Sequence, residues 1–390
     1  MAIPEFKRIL KLTPAGNGDF SYQADKYIGG NKLTLLPTGG EAYRSMWDAI
    51  EGAKETVHLE TYIFSSDKTG QEFARRLEAQ ARKGVRVRVI FDAVGSLDID
   101  QVFLTRMRNA GVQLLEYHPV APWRPRWTWT RRDHRKLLVV DGKVAFTGGV
   151  NISDEHAPIA EGGSDWHDVH VRLEGPAAYQ AERLFRSVWF KETQRWFASE
   201  GHPDHLRGES KVWVAANEEF LHRYRIRSAY LSALRAAARE VRIANAYFSP
   251  DLPTRLALSA AAKRGVSVRV LVQGRTDITS IWYAGRYHYD YLLRHDVRLF
   301  EWMGTVLHSK TALIDRQWAS VGSYNMDRWS LLHNLEVNLN ILDPDFAAQL
   351  NARFEGDMSQ AREIKLDEWR RRPAFDKIAE AVCYLLTRAF

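Results

Sequence analysis

A single cysteine, Cys383, stands in the chain of 390 residues, which excludes an internal disulfide framework and every cysteine-based zinc finger. Long apolar runs are missing too: none approaches the ~18 residues that a membrane-spanning helix needs. The opening stretch MAIPEFKRILKLTPAGNGDF has no apolar segment ahead of a small-residue cleavage site, so no secretory leader is expected and the reading is a protein of the cytoplasmic side. Neither an HExxH zinc motif nor a Walker A loop occurs. Hydrophobic residues at 45% and charged residues at 26% match an ordinary folded chain rather than a disordered one. The length suits about two or three domains.

Lys and Arg, 55 together, exceed Asp and Glu, 48 together. The excess favours a polyanionic partner, nucleic acid or an anionic membrane, without choosing between them. The 13 Trp residues lean toward a membrane interface, where an apolar ring with one donor settles, although most Trp in large cores is simply buried.

The same order of elements occurs twice, the second copy about 174 to 184 residues after the first, a duplication rather than a solenoid. In the first copy 57–64 (VHLETYIF) and 85–92 (VRVRVIFD) read as strands around a helix that ends near Lys83. In the second copy 241–248 (VRIANAYF) and 266–272 (VSVRVLV) enclose a helix ending near Arg264. Each copy continues with a helix, a short strand (VQLLEY near 112, VRLFEW near 297), a hairpin, a further strand and a closing helix from about Pro176 or Asp345. Alternating strands and helices predict an α/β fold, each half a mixed, mostly parallel sheet flanked by helices. The polar stretch Ser199 to Ser210 is the expected join. The expected divisions are an N-terminal segment 1–34, domains 35–205 and 206–365, and a basic amphipathic tail 366–390.

His134-x-Lys136-x4-Asp141 recurs as His308-x-Lys310-x4-Asp315. With 13 His, 15 Lys and 24 Asp in the chain, chance gives this pattern roughly 0.03 times, so two copies at the repeat offset are a specific signal. Gly148, Gly149 and Asn151 lie at that same offset from Gly322, Ser323 and Asn325, and Asp168 and Glu336 follow. On an extended backbone, residues two apart address one face, so each His and Lys meet the same spot. The aspartate points the other way, and Asp141-Gly142 is a hairpin-turn dipeptide. Within the motif, Asp141 and Asp315 are therefore expected to hold the turn. Two imidazoles and two ammonium groups brought together from both copies suit a phosphodiester, with one His attacking and the other handling protons, and no metal or other cofactor is expected.

These motifs resemble the phospholipase D superfamily over most of residues 35 to 360. The GGxN and GSxN tails and the stretch Gly322 to Val337 (GSYNMDRWSLLHNLEV) are most similar to the bacterial phospholipase D-type cardiolipin synthases, in their shorter, span-free branch. Trp329 departs from the pattern, standing where many of those synthases carry a second Arg. The resemblance implies two phospholipase D-like halves packed as a pseudo-dimer. It implies attack by His134 to give a phosphohistidine, with His308 as acid and then base. Lys136, Lys310, Asn151 and Asn325, with Gly149 and Ser323, would bind the phosphate, and Asp168 and Glu336 would orient the histidines. The activity expected is cardiolipin synthesis from two phosphatidylglycerol molecules with release of glycerol, peripherally on the cytoplasmic face of the bacterial membrane. A hydrolytic phospholipase D or a nuclease of the same motif is the alternative. Anionic phospholipid is the expected partner rather than nucleic acid.

Structural roles are expected for His156, His167, His170 and His333, and Glu60 is open between a pocket position and an ion pair. Residues 121–132 (APWRPRWTWTRR) interleave Trp, Arg and Pro just ahead of the first motif and are expected to dip into lipid headgroups. In the tail, Phe375, Ile378, Val382, Leu385 and Leu386 recur at helical spacing, and that face is open between packing on the protein body, the usual fate of such a helix, and contact with an anionic membrane.

Overall fold

The computed structural model describes residues 15–21, 23–199, 201, 204–218 and 223–389. Residues 1–14 of the expected N-terminal segment, 200, 202 and 203 of the expected join, and Phe390 lie outside them.

The first half contributes β1 (Ile28–Leu36), β2 (Thr56–Thr61), β3 (Arg86–Asp92), β4 (Gln113–Tyr117), β5 (Arg132–Asp133), β6 (Leu137–Val140), β7 (Val144–Gly148) and β8 (His170–Glu174). The second contributes β9 (Ser210–Asn217), β10 (Glu240–Asn245), β11 (Ser267–Gln273), β12 (Arg298–Trp302), β13 (Lys310–Ile314), β14 (Trp318–Gly322), β15 (Asn334–Leu342) and β16 (Ala361–Ile364). The strand order is β1-β8-β7-β6-β2-β3-β4 in one half and β9-β15-β14-β13-β10-β11-β12 in the other, with β16 added at the far edge. Antiparallel pairing of β1 with β9 joins the two into one sheet. The expected limit between residues 34 and 35 falls inside β1.

The sheet is mixed, but the expectation of mostly parallel pairing is corrected. Parallel ladders within each half are confined to β2-β3-β4 and β10-β11-β12. The return strands pair antiparallel because tight hairpins connect β6 to β7 and β13 to β14, and a three-residue connection cannot make a parallel crossover. Strand β2 is buried along its whole length, as a central strand covered on both faces must be. Helices begin where the sequence provides caps. Asp343 accepts from the Phe346 amide at 2.9 Å ahead of helix Pro344–Gln360, with Pro at its first position.

Three apolar cores result. One lies within the first half, around Phe73, Val89 and Phe146, and one is built almost wholly from the second, around Leu234, Val270 and Ala312. The third is shared: Ala177, Ala181 and Phe185 of helix Pro176–Thr193 and Phe346, Leu350 and Phe354 of helix Pro344–Gln360 pack with sheet residues of both halves. These two closing helices are therefore the filling between duplicated layers, consistent with the expected pseudo-dimer.

The tail forms helices Leu366–Arg370 and Ala374–Ala389. Trp369 is buried against Tyr289 at 5.1 Å, Arg372 bonds Glu380, and Tyr384 stacks on Tyr287 at 4.3 Å. The tail docks on the protein, but not by its apolar row. Phe375 (72% exposed), Ile378 (63%) and Leu385 (63%), with Val382 and Leu386, turn outward. Among the described residues no helix is long and apolar enough to cross a membrane.

Candidate active site

Each motif histidine sits just ahead of the strand that carries its motif, and its backbone is fastened to the opposite half. Strand β5 runs parallel to the start of β15, and the His134 amide donates to the Leu335 carbonyl at 3.0 Å. Correspondingly, Leu307 bridges to His167 in parallel, and the His308 amide donates to the His167 carbonyl at 2.9 Å. In each case the acceptor is the residue before a carboxylate. His134 Nδ1 thus lies 3.1 Å from Glu336, and His308 Nδ1 lies 2.7 Å from Asp168 Oδ2. Each half orients the other half's histidine.

With Nδ1 held by a carboxylate, Nε2 is the ring nitrogen left for chemistry. Both rings line one cavity of about 290 Å³, with Tyr62, Arg132, Asn151, Trp166, Tyr247, Asp277, Asn325, Asp327 and Trp329 among its other walls. Tyr62 meets the His134 ring edge-on at 4.9 Å, and Trp166 lies 5.3 Å from the His308 ring. Lys136 Nζ donates to the His134 carbonyl at 2.8 Å, and Lys310 Nζ to that of His308. Each ammonium group is thus tied to the backbone of its motif histidine, and neither lysine is among the residues that line the cavity.

Burial dominates the electrostatics. It lowers His134 below the ordinary imidazole value, with Glu336 opposing, and takes His308 well below it with help from Lys310 and Lys136. Burial also brings Lys136 down to about 7 and Lys310 to about 8, and raises Asp327 to about 7.

The other expected site residues have definite places. Asp141 accepts from the amides of Lys54, Glu55 and Thr56, and Asp315 from those of Ala238, Arg239 and Glu240. Both therefore tie a hairpin to the start of a neighbouring strand and stay off the cavity wall, as the turn dipeptide predicts. Gly149 and Ser323 also stand behind the cavity. The Ser323 hydroxyl donates to Glu336, whereas a Cβ at Gly149 would meet Asp168 Oδ1 at 2.3 Å. Their surroundings support the carboxylates rather than a bound phosphate. Asn151 and Asn325 do line the cavity, and Asn325 Oδ1 has no hydrogen-bond partner among the described residues. Glu60 is buried 3.5 Å from Arg135, the ion-pair alternative.

Sequence reasoning gave no site role to Tyr62, Trp166, Tyr247, Asp277 or Asp327. An aromatic just past the first strand of each copy, Tyr62 and Tyr247, was the signal available. His156, expected to be structural, lies against the His308 ring at 5.1 Å with neither ring nitrogen hydrogen-bonded. His156, Asp168 and His308 offer ligand atoms within 4.8 Å of one another. The Asp168 oxygen nearest both rings is already committed to His308 Nδ1, so a cation there would compete with that bond.

A duplicated α/β sheet with two histidines, two lysines and crossed carboxylates around one cavity defines a two-motif phospholipase D-type enzyme. The family model described as "Cardiolipin synthase, PLD-like domain" matches residues 46–189 and 230–358. A cardiolipin synthase B of Shigella flexneri is 37% identical over 339 residues, 84% of this chain and 80% of its own length. A Geobacillus cardiolipin synthase is 32% identical over 357 residues, 90% of this chain and 71% of its own. The chain belongs to this cardiolipin synthase family. The phosphatidylserine synthase structure from Haemophilus influenzae shares the fold at 13% identity, with a TM-score of 0.67 over 98% of this chain and 96% of that one.

Proposed function

We propose that the phosphatidyl transfer that makes cardiolipin runs here through a phosphohistidine on His134, with phosphatidylglycerol as both donor and acceptor. His134 Nε2 attacks phosphorus, the bond to the departing glycerol oxygen breaks, and His308 gives that oxygen a proton. His308 then takes the proton from a hydroxyl of the second phosphatidylglycerol, whose oxygen attacks the phosphohistidine and releases His134. Burial keeps the His134 imidazole unprotonated and nucleophilic, and the negative phosphodiester favours the protonated form of His308 on binding. Lys136, Lys310, Asn151 and Asn325 surround the nonbridging oxygens, where fixed donors stabilise the charge that develops.

The crossed pairs His134–Glu336 and His308–Asp168 carry this reading, because they give one composite site and not two. Either His134→Ala or His308→Ala should lower turnover by several orders of magnitude. With radiolabelled phosphatidylglycerol, an acid-labile phosphoenzyme should accumulate in the His308 variant and not in the His134 variant. The reverse pattern would exchange the two roles, and a half-active single variant would sink the shared site.

The chain reaches its substrate peripherally, on the cytoplasmic face of the membrane. Exposed Trp123, Trp127 and Trp129 among arginines and the outward apolar stripe of the tail support this attachment.

A further inference from the structure

A second cavity adjoins the histidine cavity. It has a volume of about 320 Å³ and lies between helix Thr279–Arg286, the short helix Arg328–Leu332 and the C-terminal helix Ala374–Ala389. Ile281, Asp327 and Trp329 line both spaces, so the two are neighbours that share a wall. The chemistry changes from one to the other. The first sets histidines, asparagines and carboxyl groups among aromatic and aliphatic side chains such as Tyr62, Trp166 and Ile278. The second is walled chiefly by carbon from Ile281, Ala284, Trp329, Cys383 and Leu386, with Asp327 and Arg328 also in its wall.

The outer rim of this groove coincides with the face of the tail helix that turns away from the protein. Leu386 lines the groove and is 55% exposed, and it continues the outward row Phe375, Ile378, Val382 and Leu385. The docked face is fixed by Glu380 and Tyr384, so the outward row is held in place and not frayed. Such a helix, docked on one side and apolar on the other, lies in a membrane surface with its apolar face in the acyl boundary. A wall shared with the histidine cavity on one side and an apolar surface row on the other select the occupant.

We propose that the groove between helices Thr279–Arg286, Arg328–Leu332 and Ala374–Ala389 holds an acyl chain of the lipid whose phosphodiester lies between the two histidines. The inference rests on the lipid reading above. The groove guides a chain from the bilayer to the site, so the enzyme handles a lipid without extracting it. Trp329 supplies an apolar wall at the junction of the two spaces.

The test compares turnover of dioleoyl-phosphatidylglycerol in vesicles with that of soluble dihexanoyl-phosphatidylglycerol, using the full chain. Cys383→Trp, which fills the groove from the tail side, should lower the ratio of long-chain to short-chain turnover tenfold or more while the chain still sediments with vesicles. Ser280→Phe, at an exposed position on the opposite rim, should lower it in the same direction and keeps the test decisive should the first variant misfold. Bimane attached to Cys383, the only thiol in the chain, should be quenched by phosphatidylglycerol brominated on its acyl chains. An unchanged ratio in a folded variant, a fall matched by lost sedimentation, or absence of quenching would overturn the groove. Failure of the unmodified chain to turn over either lipid would instead remove the lipid reading itself.

Discussion

Lys136 and Lys310 are almost wholly enclosed, and their depressed values of about 7 and 8 connect activity with stability in opposite directions. Charged ammonium groups bind phosphate, so kcat/KM, which reports the free enzyme, should fall as pH rises through about 7 to 8. The limb in kcat should stand at higher pH, because bound phosphodiester favours both charges. On the acid side His134 is lowered, so the rate should hold to below the ordinary imidazole value before it falls. For stability the sign is reversed. An unfolded lysine titrates near ~10.4, so between about 7 and 10 the unfolded chain binds more protons and stability rises with pH. Lys136→Met should therefore abolish turnover and raise the melting temperature at pH 7, with calorimetry as the check. Chelator should leave the rate within a few-fold when a soluble substrate is used. A complete loss restored by one divalent ion would point to His156, Asp168 and His308. Most of this residue-level plan was legible, because a duplicated pattern separates His134 and His308 from the other histidines. The partner of each was not: nothing in the spacing says that Glu336 belongs to His134 rather than to His308, since that depends on how two halves dock.

Hairpins show the same division between what repeats and what must be assembled. Asp315 gathers three backbone amides in a nearly closed environment, and Asp315→Ala should cost roughly 2–4 kcal/mol by leaving them unsatisfied. Asp141 does the equivalent at a more open surface and should cost less. Chemical denaturation should show both losses, while the folded fraction of either variant keeps its turnover, the result expected of a turn-holding residue. The Asp-Gly dipeptide made that role readable. The short strand Arg132–Asp133 was not readable, being two residues long and paired only across the halves. Tail periodicity showed a helix but left its side open. A 3.6-residue period tells which residues share a face, not where the protein lies, and here Glu380, Cys383 and Tyr384 occupy the inward side.

At the scale of the whole molecule, duplication was plain from the sequence, but β1 and β9, which fasten the copies, fall outside the repeated pattern that revealed it. Because the tail is both docked and apolar outward, its two roles are separable. Removing residues 373–390 should lower the melting temperature and weaken sedimentation with phosphatidylglycerol vesicles. The triple change Phe375→Ser, Ile378→Ser and Leu385→Ser should weaken sedimentation alone, and Trp127→Ala with Trp129→Ala should add to it. High salt should release much of the bound protein. The exchange of carboxylates between halves has a consequence for inheritance. A duplicated gene segment usually leaves one copy free to drift, yet on the proposed mechanism a lapse at Asp168 should disarm the histidine of the other copy, and a lapse at Glu336 should do the reverse. Neither half can retire, specialise alone or be excised as a working module, and mixing a His134→Ala chain with a His308→Ala chain should restore nothing. Two copies that began as equals have become a single unit of selection.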